Sequence, residues 1–280
     1  MLSIAICRLM HMNDNDLKAL QAAVLLLENP SVGAKIANIV GTPIEAVIAR
    51  LPDKATKAIG VATQKAIHRA LRLSLKTLTL HDRNSVSEPP ESSNWWHMAA
   101  TATTGAVGGA FGLMALTIEL PISTTIMMRS IADIARSEGA DMQDLQTQFE
   151  CVQVLALGGP SSSDDSAEIG YFLAREAMTQ AVSEAAAHIA KNGLKKEAAP
   201  VIVRLITQIA ERYSINVTEK AAAQLVPIVG ALGGALINTV FINHFQNMAR
   251  GHFIVRRLER KYSPALVRKK YIEFNQTVTG

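Results

Sequence analysis

The chain has 280 residues, 49% hydrophobic and 19% charged, with a formal net charge of +4 and two cysteines. That length can bury a real core without disulfide or metal staples. Cys7 and Cys151 cannot form a disulfide framework, which fits a reducing compartment. Apolar content is high for a soluble protein but short of a polytopic transporter, where runs of about 18 apolar residues would recur, and the modest charge does not by itself imply nucleic acid.

The N-terminal stretch MLSIAICRLMHMNDND has no basic residue ahead of its apolar run. That run, about six residues, is shorter than a secretory core, so no export signal is expected. From there on the periodicity is helical. The best strand candidate, VIVRLITQIAERY (201–213), also satisfies helical spacing and follows Pro200 at a helix start. The expected fold is all-α, a single helical domain over 1–280 with a core of about 20–262 and no β-sheet.

Breakers mark the elements. Pro30, Gly41-Thr42-Pro43 and Pro52 bound short helices, and residues 81–94 and 158–166 read as exposed loops. The acids of the second loop are expected to cap a helix over roughly 167–191, ended at Asn192-Gly193 by a left-handed cap. Thr218 reads as the N-cap of a further helix that Pro227 kinks or restarts.

Two windows are nearly free of charge: 98–128 contains Glu119 alone, and 221–249 contains none. Each carries glycines four apart, namely Gly105 and Gly109, Gly108 and Gly112, and Gly230 and Gly234. A phosphate loop needs Lys and Ser/Thr after its last glycine, and a dinucleotide turn needs strand context; both are missing. Two readings remain open. The glycines let two central helices pack closely, or the same hairpin enters a bilayer, each window being marginal in length and quality for a span.

Basic residues fall into two groups. Over 54–80, Lys54, Lys57, Lys65, Arg69, Arg72 and Lys76 lie in one helical stripe joined by His68, opposite Ala55, Ile59, Ala62, Ala66 and Ala70. This is a basic amphipathic helix, either a solvated face over a core or a contact for an anionic membrane. The second group, with Arg256, Arg257, Arg260 and Lys261, follows the second uncharged window as a juxtamembrane region would. With aromatics at 5%, stacking platforms for nucleic acid are few, so none is expected as a partner.

No catalytic or metal-binding motif is found, and no metal or cofactor is expected. Trp95-Trp96-His97 reads as the opening of the first glycine-rich helix. Glu119, Arg129, Asp133, Asn238 and His244 form a candidate buried polar site, with Arg129 and Asp133 spaced to pair on one helix face and Glu119 with Pro121 marking a bend into the next helix.

Three ordered stretches, 27–59, 105–141 and 217–262, carry GTPIE and LP, a glycine-rich run leading to Glu119-Leu120-Pro121 and R-S-I-A-D-I-A, then PIVGALGGALIN and a terminal ARGHFIVRRL. In that order they resemble the EcsC family, with Glu119 where the family more often has Asp. The resemblance implies a mainly bacterial protein whose family is named for a gene beside an ABC-transporter pair, and it brings no catalytic residues. The expected function is a non-enzymatic helical protein at the cytoplasmic membrane face, peripheral or partly inserted, with anionic lipid or a membrane transport complex as partner. The alternative is a hydrolase acting on a lipid-like or peptide substrate between the glycine-rich helices.

Overall fold

The computed structural model describes residues 12–28, 31–41, 43–77, 108–158, 170–193, 199–226 and 230–279. Among these residues there is no strand and there are ten α-helices: α1 (Asp14–Leu27), α2 (Val32–Val40), α3 (Ile44–Ile48), α4 (Asp53–Thr77), α5 (Gly108–Ser137), α6 (Leu145–Gln153), α7 (Gly170–Asn192), α8 (Pro200–Gln224), α9 (Gly230–Lys261) and α10 (Pro264–Thr279). A 3-10 turn, Val154–Ala156, follows α6 directly.

Helix ends follow local chemistry. Asn13 and Asp144 accept the amides of Asp16 (2.8 Å) and Thr147 (3.0 Å), opening α1 and α6. Proline opens α8 and α10, where its missing N–H costs nothing. Gly41 and Gly193 close α2 and α7 at φ +69°, the left-handed geometry that glycine adopts without penalty.

Two expected boundaries are not formed. Thr218 lies inside α8, and its hydroxyl donates to the Ser214 carbonyl at 2.7 Å. That back-bond satisfies the side chain within the helix, and no breaker from 201 to 224 stops the chain. Pro121 likewise lies inside α5. It deletes one backbone bond, but Leu120 before it and Met127, Met128, Ile131 and Ala132 after it are all buried, which holds both halves in one element. The 81–94 loop, residues 159–166 of the second loop with its capping acids, Trp95-Trp96-His97, Pro30 and Pro227 lie outside the described residues.

Helix α8 is the centre of the packing, in contact with α2, α3, α4, α5, α7 and α9. Its second half is buried on most sides, from Tyr213 through Asn216, Val217 and Glu219 to Ala223. Tyr213, Phe241 and Phe245 pack at 5.2–6.1 Å between ring centres where α8 meets α9, with Phe245 edge-on to the other two rings. Helix α9 also packs along α1, where a Cβ on Gly251 would stand 2.5 Å from Leu27 Cγ. Close approach of these helices requires glycine there.

The contrast with Gly60 gives a paired test. A Cβ at Gly60 in α4 meets nothing within 4 Å, so Gly60→Ala should be neutral or stabilising by up to about 1 kcal/mol. Gly251→Ala should destabilise by about 1–3 kcal/mol through overpacking. Urea unfolding of both variants checks the sign of each.

Candidate functional site

The helix expected over 54–80 is α4, and its burial follows the predicted stripe. Ala55, Ile59, Ala62, Ala66 and Ala70 are buried, facing α5, α6 and α8, while Lys54, Lys57, Lys65, His68, Arg69 and Arg72 are exposed. Asp53 opens the helix, and no acid follows it through Thr77. Lys54, Lys57, Lys65 and Arg69 make no ion pair among the described residues. The Lys76 side chain lies outside the described residues.

The second basic group is placed differently from the sequence expectation. Arg256 donates to Glu150 at 2.7 and 3.1 Å and to Glu259 at 2.9 Å. Glu259 is held from its other side by Arg175, whose two terminal nitrogens reach its two oxygens at 2.9 Å each. Arg257 pairs with Glu138 at 2.7 Å, Lys261 with Asp16 at 2.5 Å, and Arg260 donates to the Glu138 and Gly139 carbonyls. With Arg175, these cations stitch α9 to α1, α6, α7 and the turn that follows α5. Their acids come from as far as 245 positions away in the chain, which is why the cluster reads as unpaired in sequence.

Burial raises the Asp16 carboxyl, and Lys261, Tyr262 and Arg257 outweigh it, holding that group below its ordinary range.

The expected polar site divides into three environments. Lys220, which the motif reading did not single out, is fully buried and donates to Glu119 at 2.5 Å and to Asn238 at 2.9 Å. Its ammonium lies 4.9 Å from the Phe241 ring centre. This node joins α5, α8 and α9. Beside it Tyr213 and Thr124 share a hydrogen bond of 3.0 Å.

Arg129 is exposed on α5, and Asp133 pairs at 2.6 Å with Arg136 instead. Acid before base is the orientation that the helix dipole favours, and Arg129 with Asp133 would reverse it. Asp133 is 72% exposed, so this pair contributes little.

His244 is buried against the Leu157–Gly158 backbone, where Gly158 at φ +71° has no room for a Cβ beside the ring. Burial, reinforced by Lys35, pushes its pKa down to about 3 against the pull of the Leu157 and Gly158 backbone, so the ring is neutral. Glu119, Arg129 and His244 thus do not converge as a catalytic pocket would require.

Gly108, Gly109 and Gly112 fall in the first turns of α5, and Gly230 and Gly234 in those of α9. These two helices pack together and are bridged by Gln246 donating to Ser130 at 2.8 Å. The immediate contacts of those glycines, and Gly105 itself, lie outside the described residues. No helix among the described residues is long and apolar enough to cross a membrane.

The model of the EcsC protein family matches residues 17–258, so the chain belongs to that family. No curated protein and no solved structure matches it.

Two outcomes follow from the interior. Lys220→Met alone and Glu119→Leu alone should each cost about 3–5 kcal/mol, because either leaves a charge without its partner; the double variant should recover most of that loss in denaturant unfolding. His244 binds a proton in the unfolded chain near its ordinary pKa of 6.5 but in the folded chain only near 3. Its stabilising effect is therefore complete above that upper value and is lost as pH falls towards the lower one. His244→Gln should flatten the stability profile across that window by up to about 1.4 kcal/mol per pH unit, read by urea unfolding at a series of pH values.

Proposed function

We propose that this EcsC-family protein is a non-enzymatic helical protein that associates peripherally with the cytoplasmic face of the membrane, docking the α4 face on anionic lipid. One observation carries this: Lys54, Lys57, Lys65 and Arg69 are exposed on a single face of a long helix, with no acid among them and no ion pair among the described residues. Exposed like charges repel one another and weaken a fold slightly. A partner of opposite sign turns the same arrangement into attraction, at about 1 kcal/mol for each Lys or Arg near an anionic surface. The apolar side of α4 is occupied by the core, so the charged side is the one left for a partner.

Lys57→Glu with Lys65→Glu, both exposed, should keep the fold and weaken co-sedimentation with phosphatidylglycerol-containing vesicles by about 30-fold or more, since two contacts are removed and then reversed. Equal binding of the variant, or equal binding of the natural protein to purely zwitterionic vesicles, would contradict the proposal.

A further inference from the structure

The basic face of α4 is not uniformly polar. Val61 is 54% exposed, more than any other large hydrophobic side chain described as exposed. Lys57 and Lys65 stand four residues before and after it, and Lys54 and His68 seven before and after. At about 100° per residue all five fall in one stripe, with Val61 near its middle. The opposite side of the helix already has its apolar set in Ala55, Ile59, Ala62 and Ala66, so Val61 is not a core residue displaced by packing.

Valine is also a poor choice for this position on helix grounds. Its β-branched side chain loses rotamer freedom in a helix, and here it gains no burial in exchange. A solvated face would be served better by Gln or Glu. Gly60, next to it, has open space around its Cβ position, which keeps the relief low beside the valine. Lys57 and Lys65 can lay their stems along the helix and lift their ammonium groups to either side. An apolar centre flanked by long cations matches a lipid interface, where phosphates lie above the start of the acyl region.

Resting on the membrane reading above, we propose that Val61 is the apolar anchor of the α4 face, entering between lipid headgroups while Lys57 and Lys65 engage phosphates on both sides. Binding then has two components. The charges respond to any polyanion and to salt, whereas the anchor responds only to a surface with an apolar interior.

The test uses the full chain as wild type, Val61→Ser and Val61→Leu, with phosphatidylglycerol vesicles and, separately, inorganic polyphosphate. The anchor predicts that Val61→Ser binds vesicles about five- to tenfold more weakly, that Val61→Leu binds at least as tightly as wild type, and that all three bind polyphosphate alike. Denaturant midpoints of the three proteins report that the fold is retained. If Val61→Ser binds vesicles as tightly as wild type while the Lys57→Glu, Lys65→Glu protein does not, the anchor is overturned and the membrane reading stands. If wild type binds polyphosphate but not anionic vesicles, both are overturned.

Discussion

A lysine ammonium sealed inside a helical bundle constrains everything around it. Lys220 is fully buried, and Glu119 and Asn238 are the side chains that receive it. An uncompensated charge at that depth is strongly unfavourable, so α5, α8 and α9 must meet in one register for the pair to form. Glu119 is the one charged residue in an otherwise uncharged window of 98–128, and Asn238 lies in a window that has none. The node is therefore the polar tie between the two glycine-rich helices and the central helix.

Basic residues in this chain have two opposite fates, decided by which acids the fold brings near. On α9, Arg256, Arg257 and Lys261 meet Glu150, Glu259, Glu138 and Asp16, and they lock the C-terminal half to α1, α6 and the turn after α5. On α4, Lys54, Lys57, Lys65 and Arg69 face outwards with no acid placed among them. The first group builds the body that holds the second in place. That division leaves the charge of α4 facing outwards, and the proposed docking on an anionic surface rests on it.

Much of the fold could be read from the sequence because its signals are local. The all-α character, the ends at Gly41 and Gly193, the start at Pro200 and the two faces of α4 each depend on residues within a few turns. Lys220 was legible in principle: Ile206, Ile209, Tyr213 and Asn216 set a core stripe whose next member is Lys220. Charge hid it, since a lysine read alone suggests solvent. The partners of Arg256 and Lys261 were not legible, because they depend on long-range packing that no spacing encodes. The pairing of Asp133 with Arg136 depends on more than spacing: Arg129 and Arg136 both lie within reach of Asp133 along the helix, and the helix dipole favours the base that follows the acid.

Charge on an outward face of α4, with a shallow apolar anchor, is proposed to hold the protein to the membrane from one side. Extraction of native membranes carrying the full chain tests it most directly. The protein should sediment with membranes at low salt and be released by concentrated salt or alkaline carbonate, without detergent. A protein retained through both washes and freed only by detergent, or one wholly soluble at low salt, would contradict it.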